Sequence, residues 1–182
     1  MGAKLALRAA LVAILLVSGC TAQPETGPPA AAFTGTDVMY LQMGITQIAE
    51  GSSITALATE RATDPRLKAL AAELQAQWQE ELAQMQRWLL GWSQPLTAPS
   101  TSHEGHGSLH MLRPSDIAEL RSSPDFDRTA VSLLLGHLGN VVETARMETT
   151  SGAYPPARHL AETVTARRQS QIQTLLTLPA TP

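Results

Sequence analysis

The residues with the clearest capacity for metal chemistry lie in one short stretch near the middle of the chain. His103, His106, His110 and Met111 fall within nine positions. Imidazole and thioether groups are borderline and soft ligands, a combination that suits copper. The surrounding segment 94–114 is rich in Pro, Ser, Thr, Gly and His, which predicts a long loop. The stretch is therefore either a candidate copper site or a polar, solvated loop without a ligand.

Cys20 is the only cysteine and indicates a different chemistry. A short basic segment and an apolar segment precede it, and the tetrapeptide Val17-Ser18-Gly19-Cys20 resembles the lipobox of bacterial lipoproteins. The resemblance implies that residues 1–19 are a signal peptide, that Cys20 carries fatty acids such as palmitate, and that the protein is anchored on the extracytoplasmic face of the bacterial cell membrane. The alternative is an ordinary secretory signal with an unrelated cysteine.

Charge and motif content exclude several classes of function. Loss of residues 1–19 removes Lys4 and Arg8 and no acidic residue, so the net charge falls from −3 to −5. A nucleic-acid partner would need a basic face. The chain has no glycine-rich phosphate loop and no Glu-x-x-His motif of the di-iron bundles. We therefore expect a protein without enzymatic activity, whose partners are the membrane and an unidentified envelope protein.

Four long helices and one short helix are predicted to position these residues. Apolar residues recur at three- and four-residue spacing over 36–61, 65–91, 124–151 and 155–178, and a short helix is predicted over 115–121. Asp64 before Pro65 is a typical helix start, with the acid at the N-cap and proline in the first turn.

The first half of the domain repeats in the second at a constant offset of ninety positions. Asp37 aligns with Asp127, Pro65 with Pro155, and Gln79 with Gln169. A duplicated helical unit that cannot bury its apolar face alone must pack against its copy. The pattern predicts an all-α, antiparallel four-helix bundle over 37–178. It is built from hairpins 37–91 and 115–178, joined by the loop 94–114 and preceded by a flexible tether over 20–36.

The helices also carry specific motifs. The second half contains Phe126-Asp127-Arg128, Leu134-Leu135-Gly136-His137-Leu138 and Val141-Val142-Glu143, and the second long helix carries Glu81, Leu82, Met85, Trp88 and Leu89. Together these motifs resemble the domain-of-unknown-function-305 family. The resemblance implies a ferritin-like four-helix fold in an envelope or secreted bacterial protein, with some members associated with copper.

The chain departs from the family pattern at several of its polar positions. The family's paired histidines are Gln47-Ile48 in the first half and His137-Leu138 in the second. Its glutamines are replaced by Trp78 and Arg168, and its second glutamate by Gln171. We therefore expect the family's metal centre to be largely lost, with His137 either a structural histidine at the edge of the core or a companion of the loop ligands.

Helical phase predicts four charged residues in the bundle interior: Asp37, Glu81, Asp127 and Arg168. Because an unpaired buried charge is costly, they should pair with one another or reach water. One hypothesis is that the Arg168 guanidinium occupies the region where relatives place a metal and neutralises the carboxylates. The alternative is that Arg168 extends along a helix edge to solvent.

These observations favour a lipid-anchored cell-envelope protein that acts as a non-enzymatic binding or interaction module. The alternative function is weak copper binding or buffering through the loop residues and His137. Copper is accordingly the one cofactor that the sequence suggests.

Overall fold

Five helices make up most of the described chain, residues 32–98 and 112–178 of a computed structural model. They are α1 (Gly35–Arg61), α2 (Pro65–Gly91), α3 (Pro114–Ser122), α4 (Phe126–Ser151) and α5 (Pro155–Thr177). The prediction of an all-α bundle of four long helices is confirmed, and the short helix α3 was also anticipated. Within the described residues, no helix is long and apolar enough to cross a membrane.

Side-chain and backbone caps define where the helices begin. The Asp64 carboxylate accepts a hydrogen bond from the Arg66 amide at 2.8 Å, which caps α2 as its sequence predicts. Helix α1 begins earlier than predicted, at Gly35, so Asp37 lies inside its first turn. There the Asp37 carboxylate accepts hydrogen bonds from the amide and hydroxyl of Thr34, both at 2.6 Å. These hydrogen bonds fix the position of the chain where it enters the bundle.

The four long helices form two antiparallel hairpins that meet face to face. Helix α1 packs against α2, α4 packs against α5, and α1 against α4 joins the hairpins. Helix α3 lies against α1 and α4. The core between them consists mainly of leucine and alanine from every helix, among them Leu41, Leu74, Leu134 and Leu160. Long polar side chains connect α2 and α5, and these carry the site described next.

Candidate functional site

A buried ion pair joins α2 to α5 in the interior of the bundle. The Nη2 atom of Arg168 lies 2.6 Å from both carboxylate oxygens of Glu81. The Arg168 side chain is fully buried and that of Glu81 is 4% exposed. A guanidinium ion cannot lose its proton in a protein, so the pair is ionic. The interior therefore contains one positive and one negative charge in direct contact.

Two glutamines accept hydrogen bonds from the second terminal nitrogen of the guanidinium, while its Nε atom has no partner among the described residues. Nη1 of Arg168 donates to Oε1 of Gln77 at 2.7 Å and to Oε1 of Gln171 at 2.8 Å. Gln171 in turn donates to Glu73 and Gln77, both at 3.0 Å. Arg168 does not extend to solvent, so the alternative that it lies along a helix edge is wrong, and its guanidinium neutralises one of the predicted carboxylates, that of Glu81.

Burial works against the charges of this pair, and their mutual attraction opposes that effect. Removal from water raises the pKa of Glu81 above its usual value and lowers that of Arg168, while each charge moves its partner's pKa the other way. Arg167, at 3.6 Å from Glu81 Oε1, adds a second and partly exposed positive charge. The Arg168 guanidinium also lies 5.7 Å from the ring centre of Trp78, a cation–π contact.

A cavity of about 10 Å³ adjoins the ion pair, which is the space of roughly one water molecule. Five of its lining residues stand at positions of the family motifs: Gln47, Ile48, Trp78, Glu81 and Met85. The fold thus brings the polar signature positions of the first half together at one point. In this chain those positions supply one carboxylate, one amide and one thioether.

His137 is buried beside this cluster and is 5% exposed. Its ring is hydrogen bonded to the backbone of Gln47 and meets Trp78 edge to face at 5.8 Å. Burial, and then the nearby charge of Arg168, lower the pKa of His137 to about 4. Its Nε2 atom has no hydrogen-bond partner among the described residues. The ring is therefore neutral at pH 7, and the prediction that it flanks the core underestimated its burial.

Gly51 makes the position of His137 possible. A Cβ atom at residue 51 would lie 2.5 Å from His137 Nε2 and 2.5 Å from Trp78 Cη2. Real Cβ atoms do not approach other atoms so closely, so the two rings occupy space that a larger residue would need. The imidazole nitrogen is consequently enclosed by α1 and α2.

The donor set in the bundle interior does not fit a metal ion. Both oxygens of Glu81 are held by Arg168, and the guanidinium charge lies where it would repel a cation. No group of three His, Cys, Asp or Glu side chains within the described chain could hold a metal. Among the described residues, the Glu81 carboxylate is thus neutralised by the chain's own cation.

Asp37 and Asp127 do not join this ion pair, which corrects the prediction of a single charge cluster. Asp37 is fully buried, but its carboxylate accepts hydrogen bonds from the amides of Ala153 and Tyr154, at 3.0 and 2.7 Å. It therefore binds the turn between α4 and α5. Burial raises its pKa, but hydrogen bonds from Thr34 and Tyr154 outweigh that effect and hold it at about 2.

Asp127 makes the equivalent contact at the other end of the bundle. It is half-buried, and it accepts hydrogen bonds from the amides of Thr63 and Asp64, at 3.0 and 2.7 Å, in the turn between α1 and α2. Residues 63 and 64 become 153 and 154 under the ninety-residue offset, so the contacts are related by the repeat. Each aspartate stabilises the turn of the opposite hairpin, which is a structural role.

Glu148 is a buried charge position that the sequence reasoning missed. It is fully buried, and neither carboxyl oxygen has a donor among the described residues. Burial, and then the nearby Asp37 carboxylate, raise the pKa of Glu148 to about 8, so Glu148 is mostly protonated at neutral pH. Gly152 leaves room for this carboxyl group, which a Cβ atom would overlap. The apolar stripe of α4 reaches Ala145, and one further step of three residues points to Glu148.

The remaining predicted site residues lie outside the described residues. These are the lipidation candidate Cys20 and the loop candidates His103, His106, His110 and Met111. The signal peptide over 1–19 and most of the predicted tether over 20–36 lie outside them as well. Their roles stay predictions.

Comparison with known proteins agrees with the bundle architecture. A family model described as "Domain of unknown function (DUF305)" matches residues 37–178. The DUF305 fragment from Deinococcus radiodurans is similar at 23% identity and a TM-score of 0.69, over 81% of this chain and 95% of that one. A putative secreted DUF305 protein from Streptomyces coelicolor is similar at 16% identity and a TM-score of 0.70, over 77% and 89%.

A third similar structure is that of CopM in its Cu(II)-bound form. It is 21% identical, with a TM-score of 0.65, and the match covers 76% of this chain and 92% of that one. Identities of this size show a shared fold. No curated protein matches the sequence.

Proposed function

The chain belongs to the DUF305 family, and we propose that it is a lipid-anchored protein of the bacterial cell envelope that binds a partner without catalysing a reaction. In this proposal the bundle interior has lost the ability to hold a metal. The observation that carries it is the contact of both Glu81 oxygens with the buried guanidinium of Arg168. Because this pair occupies the interior, a partner would bind to the outer surface of the bundle.

The repeat contacts support a structural interpretation of the remaining family residues. Asp37 and Asp127, which open the motif in each half, both bind the turn of the opposite hairpin. His137 is neutral, enclosed by Gly51 and Trp78, and next to a positive charge. These residues thus stabilise the bundle, and the part of the chain that the structure describes contains no group of three His, Cys, Asp or Glu side chains that could hold a metal.

The membrane anchor is tested by changing the proposed lipidation site. Cys20→Ser should move the protein from the membrane fraction to the soluble fraction of the cell envelope, because the acyl chains provide the attachment. Mass spectrometry of the wild-type protein should show the added fatty acids. Retention of Cys20→Ser at the membrane would refute the anchor.

Metal binding is tested on the full chain purified in detergent. The protein is mixed with copper or silver ions, desalted and analysed for bound metal, and its thermal unfolding is followed in parallel. A ligand at a hundredfold excess over its dissociation constant stabilises a folded protein by about 3 kcal/mol. We expect the bundle interior of the wild-type protein to retain no metal and its unfolding temperature to stay unchanged.

A variant with His103, His106 and His110 changed to Ala separates the loop from the interior. Metal that remains bound to this variant but is lost on Glu81→Gln or His137→Ala would lie in the bundle interior and would refute the proposal. Arg168→Gln serves as the opposite comparison, because it removes the resident cation and leaves the Glu81 carboxylate free.

The second candidate function is copper binding by the loop, and the similarity to CopM, a protein solved with bound Cu(II), supports testing it. It predicts bound copper in the wild-type protein that is lost in the triple histidine variant. His137 is 5% exposed, so it could join the loop ligands only by leaving the core. Loop binding should therefore be insensitive to His137→Ala.

A further inference from the structure

Four aromatic side chains cluster at one end of the bundle. Trp92 stacks on Phe33 at 4.3 Å and meets Tyr154 edge to face at 5.0 Å. Trp88 also meets Tyr154 edge to face, at 5.6 Å. All four rings are half-buried, so one part of each remains accessible. We call this surface, formed by segments 32–40, 88–98 and 149–157, the aromatic end.

The aromatic end carries little charge. Within its three segments Asp37 is the one residue that is charged at neutral pH, and it is fully buried. The exposed Arg158 follows directly, in the first turn of α5. Two of the large apolar side chains most exposed on the described bundle also belong to these turns, Met39 at 42% and Leu90 at 64%. A surface with little charge that combines tryptophan, tyrosine and exposed aliphatic groups has the composition found where proteins meet the interface of a lipid bilayer.

The opposite end of the bundle has the reverse composition. It comprises the turn between α1 and α2 together with the end of α3 and the start of α4, as the contact of Asp127 with Thr63 shows. Its charged residues are Glu60, Arg61, Asp64, Arg66, Lys68, Glu119, Arg121, Asp125, Asp127 and Arg128. This charged end is suited to water, so the two ends of one bundle face different surroundings.

The position of the proposed lipid attachment selects the partner of the aromatic end. Cys20 precedes Phe33 by thirteen positions. Thirteen residues span at most about 45 Å even when the chain is fully extended. Because the 27 residues of α1 rise by about 40 Å, the charged end could reach the membrane only with the linker almost fully extended along the bundle.

We propose that the aromatic end docks on the lipid bilayer that holds the anchor, so that the charged end points away from the membrane. The inference rests on the lipid anchor of the proposed function. Docking sets the orientation of the bundle: the first turn of α1 and the turn between α4 and α5 lie at the headgroup level. The turn between α1 and α2 and the end of α3 face the aqueous compartment.

Quenching of tryptophan fluorescence by brominated lipids tests the orientation. The lipidated full chain is reconstituted into phosphatidylcholine vesicles with brominated acyl chains, and its emission is compared with that in unbrominated vesicles. We expect the emission of the wild-type protein to fall, because Trp88 and Trp92 lie within reach of the acyl chains. The double variant Trp88→Phe/Trp92→Phe retains only Trp78, which is 2% exposed in the core, and should show no quenching.

A matched pair of surface variants tests whether the quenching depends on the aromatic end. Leu90→Glu places a charge on the aromatic end and should reduce the quenching of Trp88 and Trp92. Leu176→Glu changes an equally exposed leucine, 61% against 64%, near the other end of the bundle and should leave quenching unchanged. Both sites are exposed, so folding should be retained, which circular dichroism checks.

The outcomes separate this inference from the anchor itself. Protein that sediments with the vesicles but shows no quenching would overturn docking and leave the anchor in place; this includes the case in which two copies cover each other's aromatic ends. Equal effects of Leu90→Glu and Leu176→Glu would also overturn it. Lipidated protein that fails to sediment would overturn the anchor and, with it, the docking.

Discussion

Removal of the Arg168 charge should be among the most destabilising single changes in the bundle. Arg168→Met keeps much of the side-chain volume but leaves the Glu81 carboxylate, 4% exposed, without the guanidinium that binds both of its oxygens. The Arg167 guanidinium lies 3.6 Å from Glu81 Oε1 and is 39% exposed, so it compensates only in part.

The size of the effect follows from the desolvation of the remaining charge. Breaking a buried ion pair by removing one partner costs about 3–5 kcal/mol. The same range applies to Glu81→Met, because Arg168 then keeps only the neutral oxygens of Gln77 and Gln171. For a domain of this size each kcal/mol of lost stability lowers the unfolding temperature by about 2–4 °C. Each single variant should therefore unfold at a temperature roughly 6–20 °C below that of the wild-type protein.

The double variant Glu81→Met/Arg168→Met is the decisive comparison. It leaves no charge at these two positions, and replacing a buried ion pair by apolar side chains of similar volume is often neutral or stabilising. Independent residues would give a summed cost of about 6–10 kcal/mol, whereas we expect the double variant to lose less stability than either single one. Arg167→Met is the matched control and should cost less than about 1 kcal/mol, as a partly exposed pair does.

Urea unfolding of the four variants, followed by circular dichroism, measures these free energies. A double variant as unstable as the sum of the single ones would refute the direct coupling of Glu81 and Arg168. It would also remove the observation on which the proposal of a closed interior rests.

Three further predictions concern the other buried groups. The pKa of Glu148 is raised from 4.5 to about 8, so its contribution to the free energy of unfolding is present at low pH and is lost as the pH rises to 8. The pKa of His137 is lowered from 6.5 to about 4, so its contribution to the free energy of unfolding is lost as the pH falls below 6.5. The pH dependences of these two contributions oppose each other up to pH 6.5. Between pH 6.5 and 8 the urea midpoint should fall by the equivalent of about 2 kcal/mol, and Glu148→Gln should remove this decline. A wild-type midpoint that does not change with pH in this range would contradict the raised pKa of Glu148. Gly51→Ala should destabilise the protein by about 1–3 kcal/mol, because the added Cβ atom would overlap the rings of His137 and Trp78. Gly136→Ala, which has open space around it, should stabilise α4 by about 1 kcal/mol. Unfolding temperatures that change in the same direction in both variants would argue against the packing described. Asp127→Ala should cost about 2 kcal/mol through the lost hydrogen bonds to the turn between α1 and α2. Hydrogen exchange should accelerate at the amides of residues 63 and 64, and unchanged exchange there would contradict these contacts.

The sequence was sufficient to predict the helices and their duplication, because both depend on local periodicity. It misplaced Asp37 and Asp127 for a physical reason. Helical phase gives the angle of a side chain around its helix, and both residues do point inward, but it does not give the height in the bundle. Each aspartate lies in the first turn of its helix, and α1 and α4 begin at opposite ends. One arginine cannot reach both.

Glu148 shows the complementary failure, in which a buried polar residue is stabilised by partners that are distant in sequence. Nothing in its neighbourhood on α4 signals that the Asp37 carboxylate raises its pKa, since the two residues are 111 positions apart. The space for its carboxyl group depends on Gly152, which the sequence pattern marks only as a helix end. Such compensation becomes visible once the register between α1 and α4 is known.

The pattern of replacements around the ion pair is consistent with a change in how the interior is neutralised. By resemblance to the family, each half would carry a glutamine and a glutamate three residues apart, which gives two interior carboxylates and a need for a cation. Here Gln171 stands at the second glutamate position and Arg168 at its glutamine position, so one carboxylate and one guanidinium remain and the net charge of these four positions is zero. Gln171 and Trp78, which occupy the other two positions, both contact the guanidinium. A single loss of a ligand would have left a buried charge unpaired, at a cost of several kcal/mol. Since all four positions now meet at Arg168, their replacement forms one self-consistent arrangement that needs no metal to be stable.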